Sequence, residues 1–314
     1  MTHAIGEAPG KVLLIGEHAV VYGHPAIAIP VRGVQARVEV ELTRHGGMEL
    51  LAPDLQGPEA KGDHADAIAP LLRLANSVLE LFGEGSQGVR LVIQSTIPIG
   101  HGMGSGAAVS VAIVKGICAA LGRTLTPDQV SELALEAERE FHGNPSGVDS
   151  AVVARNEPIY FVRGKPPQTI AVGSETFRFL IADTGIPSPT YKVVNDVKAL
   201  RDREPARVDS YLWELGSMAS VMREIIRGGS AQELGVCMNH SHGILRELGV
   251  SSSDLDRLVE AAVEKGGLGA KMTGAGRGGA MIALLGSATD EERLSAELRL
   301  AGAQEIYSTT LGGG

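Results

Sequence analysis

Apolar positions change period several times along this chain, and each change marks an element. Lys11 to Gly16 is a short apolar run, and Val34 to Leu42 (VQARVEVEL) alternates with the period of a half-buried strand. From Asp63 to Phe82 the apolar residues recur at helical spacing, Val89 to Gln94 (VRLVIQ) returns to strand, and a loop follows from Pro98 to Gly104. Ser105 to Leu121 then predicts a long helix. Thr126 caps the next one, whose first position is Pro127, and its pattern runs through Glu138 to about Phe141.

Strand-like segments at Pro158 to Val162 and Phe177 to Ala182 open the second half. Helical spacing follows near Pro189 to Arg203, Arg207 to Arg227, Ala231 to Leu248 and Ser253 to Lys265. Met281 to Leu285 reads as a strand, Thr289 to Leu300 as a helix and Gln304 to Thr309 as a last strand. Sheet and helix are mixed throughout, which predicts an α/β protein of the α+β kind. No repeat, low-complexity tract or long linker interrupts it, and the expected division falls near Pro187, giving domains 1–186 and 187–314.

The 314 residues are enough for two domains, and with 44% hydrophobic but only 4% aromatic residues the core must be built from Ala, Val, Leu and Ile. A net charge of −9, with no run of Lys or Arg, argues against binding to nucleic acid or an anionic membrane. An anionic small substrate must then be met by local positive groups. Cys118 and Cys237 lie in apolar helical patterns without metal-ligand spacing, so buried thiols are expected rather than a disulfide or zinc site. Residues Met1 to Gly10 carry no leader pattern, and the most apolar stretch, Ala107 to Gly122, is too short to span a bilayer and is interrupted by Lys115. The expectation is a cytoplasmic protein.

Glycine is abundant, and it concentrates in segments that change the picture. Ile97 to Ala108 reads IPIGHGMGSGAA and leads straight into a predicted helix. Free amides at a helix start, the helix dipole and close backbone approach at glycine together suit a nucleotide triphosphate; the bland alternative is a helix start needing room. A P-loop is absent, because Gly6 to Val12 is one residue short and puts Val12 where a hydroxyl belongs. Gly102, Gly104 and Ala107 match a dinucleotide fingerprint, yet no acid-tipped strand follows about twenty positions later.

Three further segments carry candidate chemistry. Ala8 to Gly23 (APGKVLLIGEHAVVYG) places Lys11, Glu17 and His18 around one apolar run. His142 to Asp149 (HGNPSGVD) is a turn of small residues that holds Asp149 eleven positions after Glu138, either beside a ligand or as a cap on the next helix. Gly269 to Gly279 (GAKMTGAGRGG) reads as a glycine-dense loop running into the Met281 strand.

PGKVLLIGEHAVVYG, PIGHGMGSGAA and KMTGAGRGG resemble, in order, the three signature motifs of the GHMP kinase superfamily, and the resemblance spans Ala8 to Gly279. It implies an N-terminal ribosomal protein S5-like domain and a ferredoxin-like C-terminal domain. GEHAVVYG together with HGNPSGVD is similar to the branch that phosphorylates mevalonate, implying ATP and mevalonate as substrates, Mg2+ as metal and a homodimer. By the same resemblance Asp149 is the catalytic base and Lys11 the cation beside it, while Glu138 binds magnesium. The nucleotide falls to Pro98, Ile99, Gly100, His101, Gly102, Met103, Gly104, Ser105, Gly106, Ala107 and Ala108, with Gly274, Ala275 and Gly276. Glu17, His18 and Ser146 fall at the acceptor.

Two departures stand out. Gly106 takes the place of the family's magnesium-binding serine, leaving Ser105 or water as the second ligand. Arg277 replaces a common glycine and either touches phosphate or faces solvent, the latter being favoured. Kinases of phosphomevalonate, of the 3-hydroxyl of mevalonate, of homoserine or of a sugar are the alternatives, with a diphosphomevalonate decarboxylase and a non-catalytic ligand-binding member of the fold behind them.

Overall fold

The computed structural model describes residues 2–43, 47–53, 64–142 and 145–312. Asp63, Gly143 and Asn144, on which sequence expectations fall, lie outside the described residues, as does Met1. The chain divides into two compact units that interleave along the sequence: residues 1–10, 34–97 and 104–156 form the first, and 11–33, 98–103 and 157–314 the second. The division expected near Pro187 is a single linear cut, whereas strands β1 (Thr2–Ile15) and β2 (Ala26–Thr43) each pass from one unit into the other.

In the first unit β2 pairs antiparallel with β4 (Gly88–Ser95), Ala36 opposite Ser95 and Thr43 opposite Gly88, and β3 (Met48–Leu51) pairs parallel with β4. The alternation read from the sequence puts Val34, Ala36, Val38 and Val40 inside, together with Val89, Leu91 and Ile93 of β4. Four helices complete the unit: α1 (His64–Leu81), α2 (Ser105–Ala120), α3 (Pro127–His142) and α4 (Val148–Arg155). α2 is apolar on every side and accordingly central, with nearly all of its residues buried. Glycine lets it approach β1 closely, since a Cβ at Gly6 would stand 1.9 Å from the Ala112 carbonyl oxygen.

The second unit begins with β5 (Ile159–Phe161) paired to the start of β2, Ala26 opposite Phe161, and with β6 (Gln168–Thr169) paired to β5. After β7 (Phe177–Asp183) come four helices, α5 (Thr190–Arg203), α6 (Pro205–Gly228), α7 (Ala231–Glu247) and α8 (Ser253–Glu264). The hairpin β8 (Gly267–Met272) and β9 (Ala280–Leu285), helix α9 (Glu291–Leu300) and strand β10 (Glu305–Leu311) close the chain. The order β10-β7-β9-β8, antiparallel at every pairing, is the ferredoxin-like arrangement of a split βαβ unit. β9, AMIALL, is buried at every position, as its unbroken apolar run requires of an inner strand.

One sequence expectation is corrected here. Gly269 to Met272 belong to strand β8, and only Thr273 to Gly279 form the loop. Gly269 reads as a loop residue, but it sits in the strand because helix α7 presses on it: a Cβ there would lie 2.2 Å from the Gly235 carbonyl oxygen. The cysteines are free as expected, although Cys237 is only half-buried while Cys118 is buried.

Candidate active site

In the first unit, helix ends present the chemistry. α2 starts at Ser105 after Gly104, whose φ is 75°, and no side chain caps it. Its first amides are therefore left for a ligand. Along the loop that enters it, Gly100, Gly102 and Gly104 have positive φ while His101 and Met103 do not. Such alternation turns successive N–H groups toward one side, the form of an anion nest. Ser105 is half-buried and Gly106 exposed, and a Cβ built at Gly106 meets nothing within 4 Å. The missing hydroxyl is thus a chemical departure and not a steric one.

Burial selects among the acids of α3. Glu132, Glu136 and Glu140 are exposed, whereas Glu138 is 6% exposed and on the face that packs in the core with Ala134 and Ala137. A carboxylate removed from water in this way requires a cation or hydrogen-bond donors. Thr126 caps α3 as expected, and Gln129 makes the cap reciprocal: Gln129 N–H donates to Thr126 Oγ1 at 3.3 Å, and Thr126 N–H to Gln129 Oε1 at 2.9 Å. α4 packs on α3 and begins after Gly147, φ 85°, with Asp149 half-buried in its first turn. Ser146 Oγ accepts the Val148 N–H at 3.4 Å, so this hydroxyl helps shape the turn.

In the second unit the three motifs are hydrogen-bonded to one another. Lys11 N–H donates to the Met103 carbonyl at 2.9 Å, tying β1 to the glycine loop. Thr273 Oγ1 accepts from Leu13 N–H and donates to Leu13 O, both at 3.0 Å, and His18 Nε2 lies 2.9 Å from the Ala275 carbonyl. Gly102 and Gly274 touch through their backbones, a Cβ on Gly274 falling 3.3 Å from Gly102 Cα. His101 Nδ1 lies 2.7 Å from both oxygens of buried Asp183, and Ser188 Oγ donates to Gly276 O at 2.6 Å. Lys11, Glu17 and His18 are all buried, at 3%, 0% and 6% exposure, so Lys11 is not a solvated strand edge.

Glu17 forms an ion pair with Lys271, which is also fully enclosed. Burial pushes the Glu17 carboxyl up, opposed by Lys271 and, more weakly, by Lys11, while burial pushes the Lys271 ammonium down. The carboxylate that the resemblance places at the acceptor is turned onto Lys271. Arg277 is 34% exposed, and its guanidinium pairs with Asp196 and donates through Nε to Gly249 O at 3.1 Å.

Burial also lowers the imidazole of His18 from 6.5 to about 4, against the Ala275 carbonyl and with help from Arg277. The same cause takes His242 to about 4, against Asp256 and with Lys271 and Arg246 adding to the fall. The unfolded chain therefore binds protons that the folded one refuses. Each histidine's contribution to stability is complete above about pH 6.5 and is lost as the pH falls toward about 4. Urea unfolding should show a loss of about 2 kcal/mol per histidine between about pH 7.5 and about pH 5. A flat profile across that window would contradict the neutral, buried state of both rings.

Sequence reasoning named Lys11, Glu17, His18 and the glycines that the second unit joins, but gave no role to Lys271, Thr273, Asp183, Ser188 or His242. Lys271 and Thr273 stood inside a recognised motif, which was their only signal. Nothing near Asp183, Ser188 or His242 in the sequence marks them, because their partners are 82, 88 and 30 residues away.

The chain belongs to the GHMP kinase family, whose N terminal domain model matches residues 71–156 and whose C terminal model matches 221–304. Within that family it groups with the mevalonate kinases. Mevalonate kinase of Thermococcus sibiricus is 33% identical over 97% of this chain and 95% of its own length. The structure of L. major mevalonate kinase with R-mevalonate aligns with a TM-score of 0.84 at 27% identity, over 99% of this chain and 96% of that one. Streptococcus pneumoniae phosphomevalonate kinase reaches a TM-score of 0.82 with 18% identity, over 99% of this chain and 100% of that one. The last comparison reflects the shared fold alone, so the fold by itself does not choose the acceptor.

Proposed function

We propose that this protein transfers the γ-phosphate of ATP to the 5-hydroxyl of mevalonate, releasing ADP. The acceptor rests on one observation, the likeness to mevalonate kinases over nearly the whole chain. The geometry supports the chemistry. Amides of the 98–108 segment and of Gly274 to Gly276 receive the triphosphate, with glycine admitting oxygen atoms close to the backbone. Asp149 takes the proton of the attacking hydroxyl, so that its oxygen meets the γ-phosphorus in line as the bond to ADP breaks. Lys11 meets the negative charge that builds on the transferring group. His18 and Ser146 line the acceptor.

Glu138 and Ser105 are hard oxygen donors and fit magnesium, which ordinarily completes its shell with phosphate oxygens and water. Such a shell does not need a cluster of three or more His, Cys, Asp or Glu, and none suited to a metal occurs among the described residues. When bound, the ion neutralises charge on the phosphate oxygens. Glu138→Gln should raise the magnesium concentration for half-maximal rate by about tenfold or more. An unchanged magnesium requirement would remove Glu138 from the metal shell.

An acceptor panel tests the reading directly. Purified protein with ATP, magnesium and mevalonate should release ADP and form mevalonate 5-phosphate. No turnover with mevalonate, alongside turnover with phosphomevalonate, homoserine or a sugar, would overturn the acceptor while keeping the kinase.

A further inference from the structure

The connection between β7 and α5 grips both glycine loops of the second unit. Its residues Asp183 to Ser188, DTGIPS, hold the first loop twice: Ser188 N–H donates to Gly100 O at 2.8 Å, and both Asp183 oxygens lie 2.7 Å from His101 Nδ1. They hold the second loop at Gly276 and Gly279. Ser188 Oγ donates to Gly276 O at 2.6 Å, the N–H and the hydroxyl of Thr184 donate to Gly279 O at 3.0 and 2.7 Å, and Gly279 N–H donates back to Ile186 O at 2.6 Å. The loops also abut, since a Cβ on Gly279 would stand 2.9 Å from the His101 carbonyl oxygen.

One of these contacts exceeds what the connection needs for itself. Asp183 Oδ1 already accepts Gly185 N–H at 2.9 Å, which is enough to shape the chain there. Yet the buried carboxylate also engages a ring carried 82 positions earlier, between Gly100 and Gly102, each with φ 79°. A carboxylate can only accept, so the ring places a proton on Nδ1 and its orientation is set. Glycine on either side of His101 leaves the amide directions of this loop soft. A nest binds its anion best when those directions are fixed before the anion arrives.

We propose that Asp183 is a positioning residue for the nucleotide: by anchoring the His101 ring it fixes the amides of the 98–103 loop, while Ser188 holds Gly276 in register, so that both loops present their donors to one triphosphate. Asp183, itself buried, does not touch the phosphates. The inference rests on the triphosphate site proposed above and is independent of the acceptor.

The test titrates ATP into the full-length wild type, His101→Ala, His101→Asn, Asp183→Ala and the double alanine variant, with kcat and the unfolding midpoint measured alongside. Each single alanine should weaken ATP binding by about tenfold while kcat at saturating ATP stays within about threefold. Because Asp183 acts through His101, the double variant should bind ATP no more than about threefold worse than either single one. His101→Asn puts an amide donor in the place of Nδ1–H and should recover most of the affinity lost in His101→Ala. ATP affinity within about twofold of wild type in His101→Ala, with only the midpoint lowered, would make the pair a structural staple and overturn the proposal. So would losses that multiply to about a hundredfold in the double variant, which give the two residues separate roles. No recovery in His101→Asn would mark a direct contact of the ring with phosphate and refute the anchoring role. Should Asp183→Ala fail to fold, the two His101 variants decide by the same criteria. A wild type that binds ATP but phosphorylates another acceptor loses only the acceptor assignment, whereas one that binds no ATP ends both the triphosphate site and this proposal.

Discussion

Asp149→Asn should lower kcat by about 10²- to 10⁴-fold while changing ATP affinity by less than about threefold. The substitution keeps the size and planarity of the side chain and removes its ability to take a proton. Its position makes the effect readable. Asp149 is in the first turn of α4, reached through the left-handed Gly147, and α4 packs against the buried face of α3. A neutral amide there keeps the shape of the side chain and forfeits the dipole interaction at the helix start, about 0.5 kcal/mol. Folding should therefore survive, and a loss of rate reports on chemistry. Steady-state kinetics with an ATP-binding titration separates the two. Turnover within about threefold of wild type would take Asp149 out of the catalytic role.

Gly6→Ala should destabilise the protein by about 3 kcal/mol or more, although Gly6 has no part in the chemistry. A Cβ at this position would meet the Ala112 carbonyl oxygen at 1.9 Å and the Gly116 nitrogen at 2.4 Å, both of them backbone atoms of α2. No rotamer relieves such a collision, so strand or helix must move. Gly116 returns the constraint, for a Cβ there would stand 2.7 Å from Val40 Cγ2 and 3.1 Å from the Gly6 nitrogen. α2 is the helix whose first turn is proposed to receive phosphate, and its displacement should also raise the KM for ATP. A fall in the unfolding midpoint of about 5 °C or more is expected. An unchanged midpoint would show that strand and helix are not in the close contact described.

Much of the fold was legible because it is local. The alternation of Val34 to Leu42 gave the half of β2 that pairs with β4, and the spacing after Thr126 gave α3 with its cap. What the pattern missed was short or held by distant neighbours. β3 has four residues, too few to show a period. β8 contains two glycines in six residues and reads as loop, yet it is pinned between β9 and α7. α4 follows a glycine turn and spans eight residues, barely two turns, so its apolar face never repeats.

The candidate site divides in the same way. The sequence by itself determined which segments carry chemistry: three glycine-rich motifs, a lysine at the head of an apolar run, and a carboxylate after a glycine turn. Those are statements about backbone freedom and residue type, and neighbours in the chain suffice to make them. Only the tertiary structure decided which acid of α3 is withdrawn from water, that Arg277 is held by Asp196, and that Glu17 faces Lys271. Each of these depends on what lies across the fold, with Glu17 and Lys271 separated by 254 positions. Burial and charge pairing belong to the packed chain, and no local period encodes them.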